Sequence, residues 1–270
     1  MGEVIEVGFD VRALGRGDRV VVPSFICCGN CWYCQHDLWS LWDNTNPNAT
    51  LQEELLGGYT AGIYGYTHAF GGYAGAHAEY VRVPHADTDC FKVPEGLRDE
   101  QVVFLSDAVP TGYMGAERVI GTDRIPERLA LAHDRVGSEI IDYAHADSVV
   151  ETLREMTGGR GPDACIDAVG TEARGYGIDY QYDRVKQALR LETDRGQALR
   201  QAIMMKKGLT IRTAQQHGQK YVKRLLDHVA KGELDPSFLA THWLSLENGA
   251  LGYEMFKKKE DHCVRGVFTH

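Results

Sequence analysis

Hydrophobic and polar residues alternate with a period of two along residues 3–24, and glycines interrupt the alternation at Gly8, Gly15 and Gly17. Alternation of this kind is typical of strands that bury one face, and glycine between such runs favours turns. The start of the chain is therefore predicted to form short antiparallel strands.

Further along the chain, short hydrophobic runs alternate with segments whose hydrophobic residues follow the helical period. Strands and helices that alternate in this way form parallel, doubly wound sheets, so the fold class predicted here is α/β. The predicted elements are a strand at 118–122, a helix at 127–133, a strand at 139–143, a helix from the cap Asp147 to Met156, and a buried strand at 163–169.

The remaining segments carry weaker signals. They predict a Gly- and Tyr-rich loop at 51–75, a strand at 78–83, a helix with an acidic first turn from Asp99, an amphipathic helix at 221–231, a last helix at 248–258 and a strand at 264–268.

The composition, with 270 residues of which 43% are hydrophobic and 25% charged, is typical of a globular protein with one large or two moderate domains. The net charge is −9 and the run of three basic residues at Lys257–Lys259 stands alone, so the sequence indicates no nucleic-acid partner. No hydrophobic run approaches the roughly 18 residues of a membrane span, and no leader follows Met1. We expect a cytoplasmic protein without membrane association.

Three of the seven Cys fall in one short segment, as Cys28-x-x-Cys31-x-x-Cys34, here named the Cys triad. Thiolates at this spacing can bind one zinc ion, which prefers four ligands in a tetrahedron with Zn–S distances of about 2.3 Å. The spacing favours a metal site in a reducing compartment over a disulfide framework, and a ferredoxin cluster would need a Cys at position 38. The fourth ligand is open between Cys27, His36, Asp43 and water, and three free thiols are the alternative.

Two acidic residues stand at the ends of hydrophobic runs within Val103–Arg128. Asp107 follows the run that ends at Ser106, and Asp123 follows the strand predicted at 118–122. An acid at the end of such a strand in a nucleotide-binding βαβ unit accepts hydrogen bonds from a ribose. The phosphate-binding sequence Gly-x-Gly-x-x-Gly, which should precede this acid, occurs nowhere among the 30 glycines.

Four motifs carry a resemblance to a known family: SDAVPTGYM, GAERVIGTDRIPERL, DSVVETLREMTGGRGPDACIDAVG and YDRVKQALRLETDR. Over nearly all of its length the chain resembles the zinc-dependent medium-chain alcohol dehydrogenases, and more narrowly the glutathione-independent formaldehyde dehydrogenase and dismutase branch. The resemblance implies an incomplete Rossmann-like parallel sheet and a β-rich GroES-like domain with a zinc lobe. The implied domains are a catalytic-type domain at 1–108 with a Cys-rich lobe at 27–43, a partial dinucleotide-binding domain at 109–218, and a C-terminal segment at 219–270 that returns to the first domain.

The resemblance also assigns residues to metal sites. The Cys triad matches the family's zinc lobe, whose fourth Cys is replaced by Trp42. Asp107 matches the third protein ligand of the catalytic zinc, and Thr111 matches the threonine that lies against the nicotinamide ring. A cap of a helix or turn is the alternative role for Asp107.

For the cofactor, the resemblance implies NAD. Asp123 and Arg128 match residues that hold the adenosine ribose, while Val169 and Arg174 match residues that contact the rest of the dinucleotide. An acid at position 123 favours NAD over NADP, whose 2′-phosphate it would repel. A helix cap for Asp123 and a surface ion pair for Arg128 are the alternatives.

Three segments of the family pattern have no counterpart in this sequence. They are an N-terminal segment with Cys-Gly-Ser and Gly-His-Glu motifs, the first Rossmann strand with its glycine loop between Met114 and Gly115, and a strand near Met205. The predicted function is that of a homo-oligomeric, zinc- and NAD-dependent oxidoreductase of a small aldehyde or alcohol such as formaldehyde. The alternatives are a catalytically impaired relic that acts only by binding zinc or by oligomerising, and a dismutase that keeps its cofactor through both half reactions.

Overall fold

The computed structural model describes residues 1–41, 44–113, 119–159, 161–162, 164–167, 181, 184–186, 188–189, 217–258 and 261–269. Contacts between residues divide the chain into two compact units. The first unit combines Met1–Met114 with Thr213–His270, and the second consists of Gly115–Arg212.

The strands in the described part of the chain are short and belong to three separate sheets. They are β1 (Gly2–Glu3), β2 (Arg19–Val21), β3 (Phe91–Lys92), β4 (Ile120–Asp123), β5 (Glu139–Asp142), β6 (His242–Ser245) and β7 (Gly266–Thr269). Antiparallel pairing joins β1, β2 and β3, whereas β4 pairs with β5, and β6 with β7, in parallel. The antiparallel strands predicted for the start of the chain are confirmed.

The described helices range from single turns to more than three turns. They are α1 (Trp32–Gln35), α2 (Ala49–Leu56), α3 (Ala86–Asp89), α4 (Asp99–Val102), α5 (Ala108–Tyr113), α6 (Pro126–Val136), α7 (Val149–Met156), α8 (Gly218–Ala230) and α9 (Gly249–Lys258). None of these described helices combines the length and the apolar character that crossing a lipid bilayer requires.

The core of the first unit is built on α8, which has one apolar face at helical spacing. This face packs on β2 and on the turn that follows α4, and each side chain buried there contributes about 1.5–3 kcal/mol relative to exposure. The helix predicted at 221–231 is thereby confirmed. The buried members of this core are Val21, Val102, Leu105, Val222, Leu225, Leu226 and Val229.

The second unit contains the parallel pair β4–β5, in register from Ile120 opposite Glu139 to Asp123 opposite Asp142. Ile141 of β5 is buried against α7, which lies after it in the chain. The β-α-β-α order from β4 to α7 confirms the α/β class predicted for this part of the sequence.

Residues typical of helix ends mark where α6 and α7 begin and where α6 ends. Pro126 occupies the first turn of α6, where its missing N–H costs no hydrogen bond, and Gly137 ends the helix with a φ of 71°. The prediction that Asp147 caps α7 is wrong. Ser148 caps it instead, since its hydroxyl accepts a hydrogen bond from the N–H of Glu151.

The predicted loop at 51–75 is wrong at its start, where α2 forms. Residues 49–56 contain Leu, Gln and Glu, which favour helices, and Gly57 ends the helix with a φ of 75°. The loop was predicted from the Gly and Tyr residues that follow, and these residues lie after the helix.

The strands predicted at 78–83 and 163–169 also differ from the structure. Residues 78–83 form no strand, and Tyr80 is 72% exposed. Residues 164–167, the described part of the second segment, are likewise exposed and irregular. A strand needs a neighbour to bind its backbone N–H and C=O groups, and no described strand pairs with either segment.

The end of the chain forms a β6–α9–β7 crossover in which only β6 was not predicted. Gly252 of α9 lies so close to this parallel pair that a Cβ atom would come within 2.7 Å of Leu244 and 2.8 Å of Phe268. A larger residue at position 252 would require these two side chains to shift.

Candidate zinc site and dinucleotide-binding residues

The three thiols of the Cys triad come together in the structure. The Sγ atoms of Cys28, Cys31 and Cys34 all lie within 4.8 Å of one another. Three sulfurs that bind one zinc ion at about 2.3 Å in a tetrahedron lie about 3.8 Å apart, so small side-chain rotations close the site around an ion. The donor set fits zinc.

Local backbone geometry brings these thiols to one side of a tight turn. Gly29 has a φ of 80°, a conformation that lets the chain reverse between Cys28 and Cys31. The N–H of Asn30 donates to Cys28 Sγ at 3.4 Å, and the N–H of Cys34, in α1, donates to Cys31 Sγ at 3.5 Å. These hydrogen bonds help to fix the positions of the Cys28 and Cys31 sulfur atoms.

The environment of the triad disfavours a thiolate at Cys34 in the absence of a metal ion. Burial raises the pKa of the Cys34 thiol to about 12, and the neighbouring thiols Cys28 and Cys31 add to the rise. A thiol with such a pKa keeps its proton at neutral pH unless a positive charge compensates the thiolate. A bound zinc ion supplies that charge and deprotonates its thiol ligands.

Two of the residues considered as a fourth ligand are engaged elsewhere. Cys27 is fully buried, and its thiol donates to the backbone carbonyl oxygen of Trp39 at 3.2 Å. The Nδ1 atom of His36 lies 2.7 Å from the carbonyl oxygen of Trp32, and the two rings stack. Trp42 and Asp43 lie outside the described residues. Within the described residues, the protein therefore provides three ligands of this site.

Sequence reasoning missed a buried acid beside the triad. The carboxyl group of Asp89, which is 0% exposed, accepts hydrogen bonds from the backbone N–H of Cys27 at 2.9 and 3.2 Å. The side-chain amide of Gln219, in α8, donates to Asp89 at 3.0 Å and to the carbonyl oxygen of Phe25 at 2.7 Å. Burial raises the pKa of Asp89 to about 8, and these hydrogen bonds oppose the rise.

Asp107 and Thr111 lie together at the start of α5. The Thr111 hydroxyl donates to the carbonyl oxygen of Asp107 at 2.8 Å and lies 3.4 Å from its Oδ1. Both residues are exposed. Nearby protein atoms nevertheless withhold water from part of the carboxyl group and raise the pKa of Asp107, while the positive charge of Arg265 opposes the rise. Arg265 was not among the residues selected from the sequence.

A catalytic zinc does not fit the described residues. Among them, the Cys triad is the only group of three or more Cys, His, Asp and Glu side chains close enough to share an ion. Asp107 belongs to no such group, and a single carboxylate holds zinc weakly. The roles of Asp107 as a zinc ligand and of Thr111 beside the nicotinamide stay predictions.

Asp123 and Arg128 lie side by side at the carboxyl end of β4. Oδ1 of Asp123 accepts hydrogen bonds from the backbone N–H groups of the next two residues at 2.7 and 3.2 Å. Oδ2 lies 3.7 Å from the guanidinium group of Arg128, in α6. Val169 and Arg174, the other residues assigned to the dinucleotide, lie outside the described residues.

Two families match the sequence. Residues 1–95 match the alcohol dehydrogenase GroES-like domain, and residues 112–175 match the zinc-binding dehydrogenase family. These matches confirm the predicted fold class, an incomplete Rossmann-like sheet with a β-rich GroES-like domain.

Several relatives with curated descriptions are dehydrogenases or dehydrogenase-like proteins. The uncharacterized zinc-type alcohol dehydrogenase-like protein AdhB of Bacillus subtilis is 29% identical over 323 residues, which cover 99% of this chain and 83% of that protein. Because this aligned stretch is longer than the 270 residues of the chain, internal segments of AdhB have no counterpart here. The glutathione-independent formaldehyde dehydrogenase of Pseudomonas aeruginosa LESB58 is 33% identical over 214 residues, which cover 65% of this chain and only 50% of that protein.

Solved structures agree with the sequence relatives. The alcohol dehydrogenase TADH from Thermus sp. ATN1 is 26% identical with a TM-score of 0.72, and the match covers 99% of this chain and 83% of TADH. An Escherichia coli CFT073 alcohol dehydrogenase complexed with NADH shares the fold with a TM-score of 0.63 at 20% identity over 100% of this chain and 82% of that one. The alternative of a non-catalytic relic finds no support in these relatives. The two family models and these relatives together support the zinc-type medium-chain alcohol dehydrogenase family for this chain.

Proposed function

We propose that this chain is a zinc- and NAD-dependent oxidoreductase of a small aldehyde or alcohol, with formaldehyde among its substrates. The observation that carries the proposal is the convergence of three thiols within 4.8 Å in a chain that matches these two family models. The 33% identity to a formaldehyde dehydrogenase supports the substrate class. A homo-oligomeric state is part of the same proposal.

The zinc part of the proposal assigns the ion to the Cys triad. When bound, zinc cross-links the loop at Cys28 to α1 and thereby stabilises the lobe. Hydrophobic packing also stabilises the lobe, since Phe25, Ala61 and Ile63 are buried in one cluster with Cys34. The triad therefore has a structural role, and the redox step is not routed through it.

The cofactor part of the proposal assigns the adenosine ribose of NAD to Asp123. Two backbone N–H groups occupy Oδ1, which fixes the carboxylate and leaves Oδ2 able to accept a hydrogen bond from a ribose hydroxyl. Arg128 holds Oδ2 from the side of α6. The negative charge of Asp123 disfavours the 2′-phosphate of NADP.

The reaction proposed for formaldehyde is the oxidation of its hydrate. The hydrate loses a hydride to the nicotinamide of NAD and a proton to water, which leaves formic acid. Formic acid then loses a second proton to water and becomes formate. Because a catalytic zinc does not fit the described residues, no step of this reaction is assigned to a metal. Asp107, with the Thr111 hydroxyl hydrogen-bonded to it, is proposed to face the substrate.

The experiment that tests the proposal measures zinc content, cofactor binding and turnover of the purified chain. We expect about one zinc per chain, bound by the wild type and by a Cys165→Ser control, whose thiol is exposed, and lost on Cys34→Ser. Binding of NAD is expected to weaken about tenfold or more on Asp123→Asn, because a hydrogen bond to a charged group contributes roughly 1.5–3 kcal/mol. An Asp134→Asn control, on the exposed side of α6, should bind NAD like the wild type.

Two outcomes contradict the proposal. A wild-type chain that takes up no zinc from a zinc-supplemented culture rules out the metal site. A chain that binds zinc but neither binds NAD nor forms NADH with formaldehyde or short alcohols rules out the dehydrogenase function.

A further inference from the structure

We propose that Asp89 is a positioning residue for the metal loop, and that Asp89 and Thr88 together clamp the backbone on either side of the Cys27–Cys28 peptide bond. The clamp sets where the first thiol of the Cys triad lies. The inference rests on the zinc site proposed above and adds residues to it that are not ligands.

The clamp holds two backbone groups. The carboxyl group of Asp89 accepts from the N–H of Cys27 at 2.9 and 3.2 Å, and the Thr88 hydroxyl donates to the carbonyl oxygen of Cys28 at 3.3 Å. One contact lies before the ligand Cys28 and the other lies on it. Rotation of the backbone that would carry the Cys28 thiol away from the other two must break at least one of these bonds.

The loop is shaped against α3 at very close range. A Cβ atom at Gly29 would lie 2.6 Å from Thr88 Oγ1, and Gly29 has a φ of 80°. No other residue fits there without strain. The turn between Cys28 and Cys31 is therefore fitted to Thr88.

The carboxyl group of Asp89 is itself held in place. It is completely buried, and the amide of Gln219 binds it from α8 while also binding the carbonyl oxygen of Phe25. Groups that orient metal ligands without touching the metal typically change metal affinity 10- to 100-fold when removed. A fixed, buried acid bonded to the peptide next to a ligand is such a group.

The test compares the rates at which the zinc-loaded chain releases zinc to an excess of chelator. Asp89→Ala is expected to release zinc about tenfold faster than the wild type. Asp87→Ala is the matched control, because Asp87 lies in the same helix and its carboxylate also accepts from backbone N–H groups, those of Arg12 and Ala13, at 2.8–3.1 Å. The control should stay within about twofold of the wild type, since its bonds hold a different loop.

Two further measurements separate positioning from a general loss of stability. Asp89→Asn keeps one oxygen, which can accept from Cys27 and from Gln219 as Oδ1 does, but its NH2 group replaces Oδ2, which makes the shorter bond to the N–H of Cys27. Its release rate should therefore lie between those of the wild type and Asp89→Ala. The absorption spectrum of the cobalt-substituted chain reports the geometry of the ligands directly. It should change on Asp89→Ala and remain unchanged on Asp87→Ala.

If Asp89→Ala does not fold, as judged by circular dichroism, Thr88→Val decides, because it removes only the bond to the Cys28 carbonyl oxygen. Release about twofold to tenfold faster supports the clamp, in line with the free energy of one hydrogen bond. If the folded variant, either Asp89→Ala or Thr88→Val, releases zinc at the wild-type rate, the clamp is ruled out and the zinc site itself is not affected. A wild-type chain without zinc overturns the metal site, and the inference with it.

Discussion

Asp89 is a residue whose charged form this fold disfavours. Its carboxyl group is fully buried, and burial raises its pKa from the usual value near 4 to about 8. Between these two pH values the folded chain keeps a proton on Asp89 that the unfolded chain has lost. The contribution of Asp89 to the free energy of unfolding therefore decreases as pH rises through this window and is constant above it.

The prediction is a pH-dependent difference between the wild type and Asp89→Asn. Asparagine has no proton to lose, so the free energy of unfolding of the wild type relative to the variant should fall by about 1.4 kcal/mol per pH unit between about pH 5 and 7. Urea unfolding of both proteins, stripped of metal, at a series of pH values measures it. A difference that does not vary with pH contradicts a raised pKa of Asp89.

At the scale of residues, spacing along the chain was informative only where the contacts are local. Cys28, Cys31 and Cys34 come from one turn, so their convergence could be predicted from the sequence. Asp89 and Gln219 meet across 130 positions, and neither residue stands in a pattern that marks it. Contacts of this kind depend on how α3 and α8 pack, which residue spacing does not determine.

Among the elements, α8 connects the hydrophobic core to the zinc lobe. Its apolar face is buried in the core, and its first turn bears Gln219, which binds Asp89, and Lys220, which lies 3.2 Å from Asp37. His217, just before the helix, lies 3.1 Å from the hydroxyl of Ser40. A loss of core packing along α8 should therefore also loosen the lobe.

The corresponding prediction concerns Leu225, which is 0% exposed. Leu225→Ala removes buried methyl groups and leaves a cavity, so it should lower the free energy of unfolding of the first unit by about 2–5 kcal/mol. The same change at Leu251, which is 51% exposed, should alter it by less than about 0.5 kcal/mol. Tryptophan fluorescence during urea unfolding measures this unit specifically, because all four Trp lie within residues 1–114 and 213–270.

Equal urea midpoints of unfolding for Leu225→Ala and Leu251→Ala would show that α8 does not stabilise the hydrophobic core of the first unit. If Leu225→Ala lowers the urea midpoint but leaves zinc retention unchanged, the stability of the core is not coupled to the zinc lobe.

Elements were predictable where one segment suffices to make them. The helical period identified α6, α8 and α9, because a helix satisfies its backbone hydrogen bonds within itself. The strands predicted at 78–83 and 163–169 have sequences suited to strands, yet no described strand pairs with them. Whether a strand forms depends on its neighbour, and a single segment does not show which neighbours the fold provides.

At the scale of the whole molecule, the chain consists of two units with separate cores. The Cys triad, Asp89 and α8 all belong to the first unit, whereas α6, α7 and the β4–β5 pair belong to the second. Ile141 and Leu153 form the buried core of the latter. Family resemblance predicts a β-rich part and a dinucleotide-binding part. The buried network that ties α8 to the zinc lobe could not be predicted in this way, because it depends on how the first unit folds.

Removal of zinc should therefore act on one unit. A ligand present at 100 times its dissociation constant stabilises the folded state by about 2.7 kcal/mol, which corresponds to roughly a hundredfold change in the rate of amide hydrogen exchange through unfolding. We expect a chelator to accelerate exchange in α8 by up to this factor, because Gln219 and Asp89 couple that helix to the metal loop. Exchange in α6 should stay unchanged, and Cys34→Ser should show no response to the chelator in either helix. Acceleration of equal size in α6 and α8 would mean that zinc stabilises the chain as one cooperative body, which would contradict the separation of the two cores.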